Sequence, residues 1–380
     1  MYLLSSWRRF FRFSLMAFLA AITALAVCLG IIVERAHRQR AAVAAIRSAG
    51  GTVYYPRDRE IQSAVMDPAE MARGSLRPAV RDWVESHLGV DFVDRPTHFN
   101  INVNFLLGKF DFESEPTDAT LSYLRGLEPK NLALKSTEFT DAGLTRLCNI
   151  RSLEDFRLHA PKVTDDGLHW LKDAHELKRL NLATTGVTNA TLAAIAEDRG
   201  LTDLCLAETN ISDIGLQYLS ELKNLRSLYL ADTRISGAGL RHLEGLRALV
   251  TLTLTGTDVD DAGLATLPLL PSLTKLDLEQ TKVTDAGLAA LKNAPNLSDL
   301  SLLGTAVTSA GMVTIAELKE LEVLNVYATD VEDAAGFAPL QNLPKLRAII
   351  IDQSISDAEL AEFKQAKPAC KFLKGRRRLR

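Results

Sequence analysis

"TKVTDAGLAALKNAPNLSDLSL", residues 281–302, holds a Thr-Asp-Ala-Gly that returns along the chain in near-identical form. Working outward from it, Leu177, Leu201, Leu225, Leu249, Leu273, Leu297 and Leu321 stand 24 residues apart. Each opens one frame, L-x-x-L-x-L-x-x-T-x-V. Leu276, Leu278, Thr281 and Val283 carry it in one copy, and Leu228, Leu230, Thr233 and Ile235 in another. A fixed period of this length is the mark of a repeat architecture. The frame decays upstream through Leu153, Phe156, Leu158 and Val163, then Leu132, Leu134, Thr137 and Phe139, with a further copy around Phe99, Ile101 and Val103. Downstream it decays through Leu346, Ile349, Ile351 and Ile355. Terminal copies of a stack are atypical because they cap it.

One copy can be folded on paper. In L-x-x-L-x-L the alternating leucines point to one face, which predicts a short strand with its other face free. Neighbours one period away supply its hydrogen bonds, so the stacked strands form a parallel sheet with right-handed returns. In the second half of a copy Leu288 and Leu291, or Leu216 and Leu219, lie at i and i+3 and share an inward helical face. Thr284, Ser212, Ser236, Asp260 and Thr308 stand just before that helix, where a side-chain oxygen is expected to cap free amides at a gain of about 1 kcal/mol. Asp285, Asp213 and Asp261 fall in its first turn, where the helix dipole favours an anion. Gly143, Gly167, Gly215, Gly239, Gly263, Gly287 and Gly311 mark a close approach to the next turn. A motif repeated this often reads as structure rather than catalysis.

These residues resemble the leucine-rich repeat family, whose frame is L-x-x-L-x-L-x-x-[N/C]-x-L. The resemblance covers roughly residues 99–365, with threonine in place of the usual asparagine and V-T-D-A-G-L-x-x-L as the second half. That variant, with "AAIRSAGGTVYY" before the repeats and "PACKF" after them, is similar to membrane-anchored repeat proteins of planctomycete bacteria. The implied fold is an α/β leucine-rich repeat solenoid, a right-handed β-α superhelix shaped as a horseshoe, with a parallel concave sheet. The threonine column Thr185, Thr209, Thr233, Thr257, Thr281, Thr305 and Thr329 is expected to point into the turn as a ladder. There each hydroxyl would bond backbone groups of adjacent coils, much as the family's asparagine does.

The flanks divide the rest of the chain. Residues 13–33 run 21 positions without a charge, enough for a helix to cross about 30 Å of hydrocarbon at about 1.5 Å per residue. This reads as an uncleaved single-pass transmembrane helix contacting the lipid bilayer, with a long signal peptide as the other reading. Arginines tie on its two flanks, and the short tail and Glu34 tilt the N-terminus inward, placing the larger part outside the cytoplasm. The expected organisation is a tail over 1–12, the span over 13–33, a juxtamembrane helix and N-terminal cap region over 34–98, repeats over 99–365, and a C-terminal cap and basic tail over 366–380. In that region Thr52–Tyr55 reads as a strand, and residues 79–88 form an amphipathic stripe of Val80, Trp83, Val84 and Leu88. The tail carries Lys371, Lys374, Arg376, Arg377, Arg378 and Arg380, a solvated end or an attachment to an anionic surface.

At 380 residues and 47% apolar the chain can bury a large core, and a net charge of -3 argues against a general polyanion binder. Cysteines at 28, 148, 205 and 370 have no paired spacing and read as free thiols. Cys205 and His159 fall two strands apart, roughly 10 Å, too far for a nucleophile and its base. Together with the absence of phosphate-loop, zinc-protease or serine-hydrolase motifs, this implies neither an enzyme nor a cofactor or metal. The outward strand positions vary on a fixed frame. Arg157, His159 and Arg179 mark one end, Asp277, Glu279 and Asp299 the other, with Tyr229 and Tyr327 as aromatic anchors. The function that follows is a membrane-anchored, non-catalytic protein-protein interaction module binding an unknown protein or peptide on the concave face. A structural cell-envelope protein with an inert repeat surface is the alternative, as is a substrate-recruiting adaptor similar to F-box leucine-rich repeat proteins.

Overall fold

Each set of alternating leucines becomes a strand, and the structure, a computed structural model, describes residues 41, 44, 52–54, 98–102, 116–124, 129–331, 333–356 and 358–374. The chain divides into two units, residues 1–100 and 101–380. In the first, Thr52–Tyr54 (β1) runs antiparallel to the start of His98–Asn102 (β2), with Val53 opposite Phe99. The amphipathic segment 79–88 and, apart from Ala41 and Ala44, the helix expected over 34–49 lie outside the described residues, as does the tail beyond Lys374.

The second unit repeats one strand per coil. Asn131–Lys135 (β3), Asp155–His159 (β4), Arg179–Asn181 (β5), Asp203–Cys205 (β6), Ser227–Tyr229 (β7) and Thr251–Thr253 (β8) pair in parallel and in chain order. Lys275–Asp277 (β9), Asp299–Ser301 (β10), Val323–Asn325 (β11), Ala348–Ile351 (β12) and Lys371–Lys374 (β13) continue the sheet. Phe156, Leu180, Leu204, Leu228, Leu252, Leu276, Leu300 and Leu324 stand in one register row and are buried, each side chain stabilising the core by about 1.5–3 kcal/mol. The backbone ladder outlasts the strands: the Leu230 amide donates to the Thr253 carbonyl at 2.9 Å and that of Asp232 to Thr255 at 2.8 Å.

The returns are shorter than full helices. Asp141–Leu144 is one α-turn followed by a 3₁₀ turn over Thr145–Leu147, and Gly287–Asn293 is 3₁₀ throughout. A strand and two corners leave room in a 24-residue coil for little more than this. Leu288 and Leu291 still share a buried face.

The Thr-Asp-Ala-Gly motif works between coils as well as at the helix start, where part of the capping read from sequence is present. Asp285 accepts the Thr308 amide at 2.9 Å and the Thr308 hydroxyl at 2.6 Å. Asp118 does the same for Thr140, Asp141 for Thr164, Asp165 for Thr188, Asp213 for Ser236 and Asp261 for Thr284. A hydroxyl that gives its proton to a carboxylate keeps lone pairs to accept an amide. Thr308 Oγ1 thus also accepts the Ala310 amide at 3.1 Å and Thr284 Oγ1 the Ala286 amide at 3.4 Å, while Ser212 makes no side-chain cap. The glycine makes room for the clasp, since a Cβ at Gly311 would stand 2.3 Å from Asp285 Oδ1.

Three junctions lack the first carboxylate, and two of them replace it from the next coil. Gly237 stands where the aspartate belongs, and Asp260 then caps the Gly263 amide at 2.8 Å. Ser309 stands there at the other, and Asp333 caps the Gly336 amide at 3.0 Å. At the third, Asn189 Oδ1 still accepts the Ser212 amide at 3.0 Å, while its Nδ2 donates to the serine hydroxyl at 2.8 Å.

Before each column threonine the chain turns through the left-handed region, at Thr184, Glu208, Asp232, Gly256, Gln280, Gly304 and Ala328. This turn folds the threonine back over its own coil. Thr185 donates to the Leu182 carbonyl at 2.6 Å and Thr281 to that of Leu278 at 2.7 Å, rather than to an adjacent coil. Thr209, Thr233, Thr257, Thr305 and Thr329 repeat the bond, and all but Thr329 are buried.

No helix among the described residues is long and apolar enough to cross a membrane. This overturns the expected transmembrane helix over 13–33, and with it the lipid bilayer as a partner and the single-pass membrane location. Residues 13–33 themselves lie outside the described residues. An apolar run meets a length criterion by composition alone, whereas a span needs about 20 residues of continuous helix. The nine residues of Ala334–Asn342 fall well short of that.

Two outcomes test this frame. Asp285→Ala should lower stability by about 1–2 kcal/mol in urea unfolding, and Thr308→Asp added to it should restore part of the loss through a cap on Gly311. Asp198 is buried with Oδ2 unpartnered, and burial pushes its carboxyl above the ordinary range. A raised carboxyl contributes to folding only while protonated, so Asp198→Asn should raise Tm at pH 7 and lose that advantage by pH 3.

Candidate functional site

A period-2 strand that buries one side presents the other, and the register aligns those outward residues in rows. Arg157, Asn181, Cys205, Tyr229, Thr253, Asp277, Ser301, Asn325 and Ile350 form one row across β4 to β12. Tyr229 is 38% exposed near its middle. Cys205 is half-buried and unpaired, and burial pushes its thiol up, which leaves it protonated and unreactive.

At one end the structure rearranges the expected basic cluster around a residue the sequence reading passed over. Asp155 is 5% exposed. Arg157 grips it through Nε at 3.0 Å and Nη2 at 2.9 Å, and Arg179 Nε reaches the same carboxylate at 2.9 Å. His159 turns its Nδ1 to the Thr184 hydroxyl at 2.6 Å. Burial, and then Lys135, hold its imidazole below the usual range, so it is neutral at pH 7. A carboxylate with arginines two residues on and one period on was readable as this cluster.

At the other end Asp277, Glu279 and Asp299 do come together, with Ser301, Asn325 and Ile350, around a groove of about 300 Å³. Ser301 donates to Glu279 Oε1 at 2.8 Å, Asn325 Nδ2 reaches Ser301 Oγ at 3.0 Å, and the Glu279 amide is held by Asp277 at 2.9 Å. Burial pushes the Glu279 carboxyl up, the Ser301 bond opposes this, and Asp277 adds to it. Tyr327 lies beyond β11, half-buried, its amide on Asn325 Oδ1 at 3.1 Å. Ser301 and Asn325, which fix Glu279, have no distinguishing sequence pattern beyond their register. Among the described residues no group of three or more His, Cys, Asp or Glu is placed to hold a metal ion.

Family models described as leucine rich repeat match residues 199–259 and 270–292. An internalin (inlF) from Listeria monocytogenes is a similar solved structure, at 18% identity and a TM-score of 0.49 over 78% of this chain and 88% of that one. Internalin C2 (inlC2) of the same organism is similar at 23% identity and a TM-score of 0.38, over 72% and 92%. No curated protein matches.

Glu279 gives a pH test of this groove. Its raised carboxyl contributes to folding below the ordinary carboxylate range, a contribution lost as pH rises through the raised value. Carboxyl carbon shifts should therefore show Glu279 titrating above the ordinary glutamate value. Glu279→Gln, which keeps the acceptor for Ser301, should be at least as stable as the parent at pH 7.

Proposed function

We propose that the outward face of the repeat sheet is a non-catalytic contact surface for a protein or peptide. The observation that carries this reading is the contrast between the two faces of the same strands. Inward positions repeat as buried leucine, while the outward rows change from coil to coil and place arginines at one end and carboxylates at the other. Arg157 and Asp277 lie five strands apart, roughly 24 Å, a span suited to an extended segment. The contacts of this proposal are Arg157, His159, Arg179, Tyr229, Asp277, Glu279, Asp299 and Tyr327. Tyrosine brings contact area at low entropic cost, and opposed charges fix the direction of the partner.

The V-T-D-A-G-L form of the second half supports, on the same footing, a place among planctomycete-like repeats. It bears on lineage and not on the ligand, because its side chains are committed between coils.

Crosslinking of partners to the full chain, compared with a Tyr229→Ala, Asp299→Lys variant, tests the surface. Neither residue takes part in the clasps, so Tm should move little. Recovery of the partner should fall by about tenfold or more, the scale of a lost hot spot. Equal recovery with both chains would remove this face from consideration.

A further inference from the structure

We propose that Arg157 and Arg179 form a preset fork for an oxyanion, a carboxylate or phosphate group, carried by the bound partner. The proposal rests on the reading of this face as a contact surface. It starts from one carboxylate doing two tasks. Asp155 is buried, and its two oxygens take Nε and Nη2 of Arg157 and Nε of Arg179. Both guanidinium planes are thereby fixed from below. Their other edges, Nη1 of Arg157 and the two terminal nitrogens of Arg179, have no protein partner among the described residues, and the side chains are 59% and 45% exposed.

A guanidinium is planar and pairs with oxyanions in a fork geometry, so its orientation matters as much as its charge. An unheld surface arginine loses rotamer freedom when it binds, whereas these two have already lost theirs on folding. The surroundings favour an anion at this end. Lys135 stands beside His159 in the neighbouring strand, and the imidazole is neutral, with its Nδ1 committed to Thr184. Asp203, the acidic neighbour of Arg179 in register, is turned to the Thr202 hydroxyl at 2.7 Å.

The preset geometry makes a prediction that charge alone would reverse. Removing Asp155 leaves the patch more positive, so simple attraction would strengthen anion binding; loss of the fork should weaken it. The test uses the full chain with labelled arginine side chains, titrated with sodium acetate and with sodium phosphate at constant ionic strength against chloride. Saturable movement of the Arg157 and Arg179 Nε–Hε signals together is expected, with acetate or phosphate as the tighter ion identifying a carboxylate or a phosphorylated group. Asp155→Asn should bind about tenfold more weakly, as two arginines must then be ordered by the ligand. Equal or tighter binding by that variant, or wild-type signals that never saturate, overturns the fork. Should Asp155→Asn not fold, Arg157→Lys decides: it keeps the charge and loses the plane, and undiminished binding would overturn the proposal. Because the probe is a small ion, loss of partner capture and loss of the fork are separate results.

Discussion

The hydrogen bonds from one coil's threonine to the preceding coil's aspartate set the terms for the rest of the molecule. A solenoid has no long-range contacts to hold its register, so each junction must be specified locally. On the sheet side the backbone ladder does this. On the return side, helices of one turn leave their first amides unpaired, and an anion delivered across the junction satisfies them. Three positions are therefore linked: the aspartate, the hydroxyl residue one coil later, and the glycine whose missing Cβ admits the carboxylate. Where the aspartate is missing, two of three junctions supply another carboxylate and the third uses the Asn189 amide. Where Gly237 and Ser309 supply none, Asp260 and Asp333 enter from the other side.

The core leucines and the clasps use the inward and return sides of the coils, and the outward strand positions take part in neither, although Asn181, Asp277 and Asn325 hold amides at their own strand ends. They vary from coil to coil, which allows charges of opposite sign to be set at the two ends of one sheet. The left-handed corner completes the separation. By turning each column threonine back onto its own carbonyl, it makes a coil's corner self-sufficient and leaves cross-coil bonding to the backbone and the aspartates.

How much of this could be read in advance follows from the range of each interaction. Period and alternation are properties of single residues at fixed spacing, so the leucine frame and the strand positions are legible from Leu276, Leu278 and their counterparts. The direction of a hydrogen bond is not. Thr284 before a helix reads as a cap, and nothing local shows that its proton goes to Asp261 one coil back, although an offset of 23 residues recurs in five of the six clasps. Asp155 was passed over because its importance lies in burial by Arg157 and Arg179. The apolar run at 13–33 was read from composition alone, and the described helices give no span to match it.

The two ends of the outward face differ in more than sign. At the basic end a buried carboxylate holds two exposed guanidiniums, so the charge presented to solvent is fixed in direction. At the acidic end the order is inverted: neutral Ser301 and Asn325 hold a half-buried Glu279 whose carboxyl is pushed up by burial and by Asp277. One end is thus a pair of cations aimed by a buried anion, and the other an anion aimed by neutral hydrogen-bonding partners.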